Sequence, residues 1–331
     1  MPRKFTAVVF PEPNKAELRE FELADPGAGE VQVRITTSGV SIGTEYLVLA
    51  GTFPAQEYPC LVGYQSVGIV EKLGEGVTNL KLGDRVFVGD GAQPDGYHQG
   101  CGIAHVSHAN IPAFAPGEFL PRPLLVPDHV SDAAASYLVL VAVALEGTTM
   151  ANIQRGDTVA VVGLGVVGQL CAQMAKSMGA NVYASDLDSR RTDLAASLGA
   201  SGAYAVDVPE FDAELRKIQA KGADVVMETT GNTKVLEKAL LLARNYGTFV
   251  VQGHYPGNIE FRFTNAHWLH LNMLFPCGGA SRSDAMQTLG RGLLDVDSLI
   301  SHRVKAADAP DLYAEIAKRS SDVAAAVIDW T

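Results

Sequence analysis

A glycine-rich turn, Gly163-Leu164-Gly165-Val166-Val167-Gly168, constrains this chain more than any other feature. It follows an apolar run, Thr158–Val162, and opens a segment with helical spacing, Val166–Met178. In such a strand-turn-helix the first glycine permits the tight turn and the second lets backbone approach a pyrophosphate at the helix N-terminus. The third lets the helix pack closely on its strand. Eighteen residues beyond Gly168, after the apolar run Asn181–Ser185, stand Asp186 and Leu187. A carboxylate there accepts the adenosine ribose hydroxyls and repels a 2′-phosphate, so the pattern points to NAD rather than NADP. Arg190 and Arg191 leave some room for NADP, because an Arg just past the acidic position pairs with phosphate. Glycines that merely pack a strand against a helix are the plainer alternative, and the register of strand, helix, second strand and acid argues against it.

The surroundings of the turn repeat its pattern. From Thr158 onward apolar strands alternate with helical segments: Asn181–Ser185 with Ser189–Leu198, Ala223–Met227 with Thr233–Ala243, then Thr248–Gln252. Alternation of this kind predicts βαβ units and a parallel sheet buried on both faces. Up to about Val130 the pattern differs, with short β-type runs (Lys4–Phe10, Glu30–Thr37, Ser66–Leu73, Arg85–Val88) between Gly/Pro turns. These predict a mainly antiparallel, barrel-like unit. A strand-like Leu299–Val304, a helix over Pro310–Ser320 and a last strand Ala324–Trp330 return to that first domain. The expected architecture is thus α/β, a doubly wound Rossmann sheet (145–279) inserted into a β-barrel domain made of 1–144 and 280–331.

Length and charge narrow the function. At 331 residues the chain is long enough for two domains. Its formal net charge of -11 repels phosphate backbones and anionic lipid, which argues against nucleic-acid and membrane partners. The N-terminal apolar stretch Phe5–Phe10 is too short for a signal-peptide core, so the expectation is a cytoplasmic protein. Cys60, Cys101, Cys171 and Cys277 form no CxxC pair and read as reduced, mostly buried thiols.

With the glycine fingerprint, four further segments resemble the medium-chain dehydrogenase/reductase superfamily over nearly the whole length. They are Ser38-Gly39-Val40 with Gly43-Thr44-Glu45, Gly63 to Gly68, Gly74 to Val86, and Leu299 to Arg303. The resemblance implies a GroES-like catalytic domain, a nucleotide domain and an active-site cleft at their junction. It implies further that Val167 backs the nicotinamide, that Arg191 lies near the adenosine ribose, and that Thr229, Thr230, Gly253 and Cys277 line the nicotinamide half of the groove. In the zinc-dependent branch Cys, His and a Cys or Glu hold a catalytic zinc. Here those positions fall on Ser41 or Ile42, on Tyr64 within Gly63-Tyr64-Gln65, and near Val143. The four cysteines of the structural zinc lobe are represented by Cys101 alone. None of these supplies the expected thiolate and imidazole set, so no catalytic metal is expected. The chain is most similar to a zinc-free branch that includes bacteriochlorophyllide a dehydrogenase, through Ser41, Gly43-Thr44-Glu45, Gly63-Tyr64-x-Ser66-Val67-Gly68 and Gly253-x-Tyr255.

Without zinc, hydride transfer needs another group to give or take the hydroxyl proton. Tyr64 is the candidate, with Ser41 and Thr44 as relay partners; as a base it would need a cationic or hydrogen-bonding neighbour, for which His254 is proposed. A tyrosine filling an old metal cavity, and a helix start capped by Thr44 with Glu45 in the first turn, are the structural alternatives. His98, Cys101, His105 and His108 match no closed zinc spacing and read as surface or substrate-lining residues. His267 and His270, flanking Trp268, read as a packing or subunit face of an amphipathic helix. The expected function is NAD-dependent, zinc-independent interconversion of a secondary alcohol and a ketone on a small molecule, by a homodimer or a tetramer. A reductase of activated C=C bonds or quinones, and a non-catalytic NAD(H) redox sensor, are the rival readings. Loops Ala50–Pro59 and Gly89–Pro121 are expected to set specificity.

Overall fold

The computed structural model describes residues 3–113, 123–255, 257–277, 279–319 and 322–331. Its internal contacts divide the chain into Met1–Val139 with Val296–Thr331, and Leu140–Asp295. The segment 280–295, placed by sequence in the barrel domain, therefore falls in the second unit. The Gly279 N–H is bonded to the Glu146 carboxylate (2.9 Å) and the Ala280 N–H to the Ala142 carbonyl (3.0 Å), which ties this segment to the helix Leu138–Met150.

The second unit is a six-stranded sheet. Its order is Gly202–Tyr204, Asn181–Ser185, Thr158–Val162, Ala223–Glu228, Ala243–Val251, Asn272–Leu274, and every neighbouring pair is parallel. Val159, Ala160 and Val161 are all fully buried, as a central strand covered on both faces requires. From Thr158–Val162 the chain winds outward one way, then returns to the other side at Ala223–Glu228. The strand order reverses there, and such a reversal opens a crevice at the carboxyl ends of the strands. The strand Gly202–Tyr204 and the helix Val208–Ile218 are additions to the sequence reading; three residues that include a glycine carry no readable period. The helix predicted to reach Ala243 stops at Leu240, since Leu242 and Ala243 turn into the core and the strand begins at Ala243.

His267 and His270 do not share a helix face. The helix ends at Trp268, and His270 lies beyond it at φ +50°, stacked on Tyr246 with centroids 4.7 Å apart, while His267 stacks on Phe263 at 5.0 Å.

The first unit holds two sheets. One runs Glu17–Leu23, Arg3–Phe10, Cys60–Leu61, His98–Gln99. The other runs His302–Lys305, Ala326–Asp329, Glu30–Val40, Ser66–Leu73, Arg85–Val88, Leu124–Leu125, with His108–Pro112 also on Glu30–Val40. Val31, Val33 and Ile35 alternate along the long strand into a fully buried cluster with Ala7, Val9 and Leu61. The expected loop Gly89–Pro121 is not one loop, because it carries the strands His98–Gln99 and His108–Pro112; its residues 114–121 lie outside the described part. Among the described residues no helix is long and apolar enough to cross a membrane.

One buried hydroxyl pins the late strand. Tyr137 is fully buried, donates to the Ala326 carbonyl (2.8 Å) and accepts the Ala326 N–H (2.9 Å). Tyr137→Phe strands both backbone groups in the core and is expected to lower stability by about 1–3 kcal/mol, read from urea denaturation.

Candidate functional site

At the glycine turn, two of the three glycines are dictated by the protein's own atoms. Gly163 has φ +87°, and a Cβ there would lie 2.8 Å from Thr230 Cγ2. A Cβ on Gly168 would lie 2.0 Å from the Gly163 carbonyl oxygen, so the helix could not seat. Gly165, the N-cap of the helix Val166–Ser177, is different: a Cβ there meets nothing within 4 Å. The chain leaves that face open above unpaired helix N–H groups, a setting that suits a pyrophosphate. Val166 and Val167 follow it, half-buried.

Asp186 is held onto this turn. Its Oδ2 accepts the Leu164 N–H at 2.7 Å and its Oδ1 the Asp188 N–H at 3.0 Å, while Arg191 Nη1 lies 3.5 Å from Oδ2. Leu187 beside it is 81% exposed, and Arg190 pairs with Asp188 at 2.7 Å. Thr229 donates its hydroxyl to the Gly163 carbonyl at 2.7 Å, locking the next strand end to the turn. Gly253 donates its N–H to the Glu228 carbonyl at 2.9 Å and His254 after it is exposed. Cys277 is exposed too, not buried, because the edge strand stops at Leu274 and the chain has left the sheet.

Glu228 was not singled out in the sequence, although a carboxylate closing an apolar strand is a visible signal. It is fully buried, and its Oε1 accepts both the N–H (3.0 Å) and the hydroxyl of Thr230. Burial pushes its carboxyl up to about 7, against the pull of the Thr230 donors.

In the first unit, Tyr64, Ser41 and Thr44 come together. Ser41, not Thr44, is the N-cap of the helix Ile42–Leu49, which places Thr44 inside the first turn. The Tyr64 phenol is pushed up chiefly by burial; the hydroxyls of Ser41 and Thr44 pull it down, while Cys101 and Glu45 push it further up. The charge bearing on it is thus negative. A phenol in this setting keeps its proton through the neutral range and is set to donate it. His254 belongs to the second unit.

The histidine cluster does not assemble. His105 is fully buried, with Nε2 3.1 Å from Glu45 and Nδ1 2.7 Å from Ser38, and so is neither on the surface nor lining a substrate pocket. His98 pairs with Glu57 at 2.9 Å, and His108 faces Glu71 at 3.8 Å with its imidazole pushed down to about 4, chiefly by burial. Tyr313, which gives its hydroxyl to Glu45, escaped the sequence reading, since nothing distinguishes it from the other apolar positions of its helix Ala309–Ala317.

Glu228→Gln tests the buried carboxyl. Its folded pKa lies above the ordinary value of 4.5, so the wild type is stabilised by the proton at low pH and loses that contribution as pH rises toward 7. Denaturation at pH 5 and pH 8 is expected to show the variant gaining about 2 kcal/mol relative to wild type across that interval.

Comparison with known proteins agrees with these two units. Residues 27–119 match the alcohol dehydrogenase GroES-like domain and residues 166–289 the zinc-binding dehydrogenase family. An alcohol dehydrogenase of Cupriavidus necator is 27% identical over 93% of this chain and 94% of its own. In fold, 2R,3R-butanediol dehydrogenase of Bacillus subtilis superposes with a TM-score of 0.84 at 21% identity, covering 98% of this chain and 99% of that one. An alcohol dehydrogenase of Escherichia coli CFT073 complexed with NADH does so with a TM-score of 0.83 at 20% identity, covering 98% and 99%. The chain belongs to the zinc-type alcohol dehydrogenase-like medium-chain dehydrogenase/reductase superfamily of oxidoreductases.

Proposed function

We propose that the protein is an NAD(H)-dependent dehydrogenase that interconverts a secondary alcohol and a ketone on a small molecule without a catalytic metal, in the cytoplasm. The observation that carries this reading is the Tyr64 phenol set against the Ser41 and Thr44 hydroxyls where the zinc-dependent branch has metal ligands. A zinc ion asks for thiolate, imidazole or carboxylate donors, and Ser41, Tyr64 and Val143 offer none. Among the described residues no three His, Cys, Asp or Glu side chains gather in a metal-binding group. A zinc does not fit this donor set, and the zinc-free branch of the superfamily is the assignment it supports.

The residues around the glycine turn fit a nicotinamide dinucleotide. The open face at Gly165 suits the pyrophosphate, and the Asp186 carboxylate, with lone pairs to spare, suits the 2′- and 3′-hydroxyls of an adenosine ribose. Leu187 offers apolar surface to the adenine, and Arg191, engaged by Asp186, steadies the carboxylate. Val167, Thr229, Thr230, Gly253, His254 and Cys277 remain the proposed lining of the nicotinamide half. When bound, the coenzyme supplies or accepts the hydride at the carbon. In ketone reduction Tyr64 then gives its hydroxyl proton to the developing alkoxide oxygen, and the Ser41 and Thr44 hydroxyls hydrogen-bond the phenolate left behind. Alcohol oxidation runs the same steps backward. The edge strand Asn272–Leu274, with Tyr246, Trp268 and Phe275 exposed (70%, 71% and 56%) around its end of the unit, supports a homodimer formed across that edge.

Two measurements check this. Asp186→Ala is expected to weaken NADH binding about tenfold or more by calorimetry, with NADPH affected less. Tyr64→Phe is expected to lower kcat for ketone reduction about 100-fold with NADH binding retained; near-normal turnover removes Tyr64 from the chemistry.

A further inference from the structure

The carboxylate of Glu45 is fully buried, and three donors hold it: the Ser41 N–H on Oε1 at 2.8 Å, and on Oε2 the Tyr313 hydroxyl and His105 Nε2, the latter at 3.1 Å. A carboxylate only accepts, so His105 Nε2 carries the hydrogen. Across the ring, Nδ1 lies 2.7 Å from Ser38 Oγ, and that oxygen already accepts the Trp330 indole N–H at 2.9 Å. The Ser38 hydroxyl hydrogen then points to Nδ1, which makes Nδ1 the acceptor. This assignment follows from the hydrogen-bond network. The network therefore places a ring hydrogen on Nε2, facing Glu45. Among the described residues His105 is the one group of basic type within ion-pair distance of Glu45.

The same ring shapes the chain entering Tyr64. Gly63, at φ +91°, lies so flat on it that a Cβ would come within 2.6 Å of His105 Cδ2 and Cγ.

We propose that Glu45 is a positioning residue for Tyr64: held by three donors, its carboxylate fixes the Ser41 turn and the His105 ring on which Gly63 lies, and sets a negative charge near the phenol. The proposal rests on the reading of Tyr64 as the proton donor. The titratable groups that bear on Tyr64 are Glu45, Cys101 and Tyr137, and those that bear on Glu45 are His105, Tyr313, Cys101 and Tyr137. Burial is the chief cause that keeps the phenol from ionising, and the Glu45 charge adds to it.

The test reads Tyr64 directly. A ring-fluorinated tyrosine at position 64 brings the phenol's titration into an accessible range, and its fluorine resonance follows ionisation in the full-length protein. Glu45→Gln in that background is expected to lower the midpoint by about one pH unit, because a like charge has been removed. His105→Gln, whose amide N–H replaces Nε2–H, is expected to leave it in place. An unmoved midpoint in a folded Glu45→Gln protein overturns the proposal. Should that variant not fold, nitrogen-15 correlation spectra of the wild type decide: His105 is expected to carry a hydrogen on Nε2, facing Glu45, and a ring protonated on Nδ1 alone overturns the proposal. Full turnover by Tyr64→Phe with the midpoint shift intact would instead remove the catalytic reading of Tyr64 and leave the electrostatic link standing.

Discussion

A carboxylate sealed from water must be met by donors that the fold itself brings, and in the first unit Glu45 imposes that demand. Moving such a group out of water without partners costs several kcal/mol, more than a domain of this size can spare from its net stability. Its three donors come from the helix start at Ser41, from the segment that precedes the strand His108–Pro112, and from the helix Ala309–Ala317. Each element is thus fixed relative to one oxygen pair. The apolar cluster of Phe10, Val62, Tyr313, Ile316 and Ile328 then fills the space around it, with Phe10 edge-on to Tyr313 at 4.9 Å. Hydrophobic contacts tolerate sliding, whereas a buried charge with specified donors does not.

The second unit depends on a steric constraint. The Gly163 carbonyl passes so near the Gly168 Cα that no side chain fits, and the Thr229 hydroxyl binds that same carbonyl from the adjacent strand. Strand, turn, helix and neighbouring strand are thereby tied into one piece at the point where the strand order reverses. Asp186 is docked to the turn through Leu164, so the carboxylate and the helix N-terminus stand in a set relation before any ligand arrives. Preorganisation of this kind lowers the ordering cost of binding.

The legibility of these two regions in the sequence differed for physical reasons. The glycine turn and the parallel strands were readable because their constraints are local: a close backbone approach demands glycine within six residues, and a strand buried on both faces reads as a run of Val and Ala. Ser41, Thr44 and Tyr64 could be named from the family pattern, and the structure brings them together. His105 was misread because four nearby histidines and cysteines suggest a surface cluster, while its true partners, Ser38 and Glu45, are 67 and 60 residues away. Tyr313 gave no signal at all; its hydroxyl has a purpose only beside Glu45, 268 residues earlier. Long-range polar pairs leave no periodic trace. The short strand Gly202–Tyr204 and the divided helix and strand around Leu242 failed for another reason, since three or four residues are too few to display a period.

The split composition of the first unit has a consequence for synthesis. Residues 140–295 are contiguous and leave the ribosome as a complete sheet, able to fold while the rest is still being made. The first unit cannot finish then, because Tyr313 and Trp330, which complete the Glu45 and Ser38 network, are translated after it. Until they emerge, Glu45 lacks the Tyr313 hydroxyl and Ser38 lacks the Trp330 indole N–H. Closure of that polar core is therefore a late event, one that reports on the arrival of the last forty residues or so rather than on the first hundred.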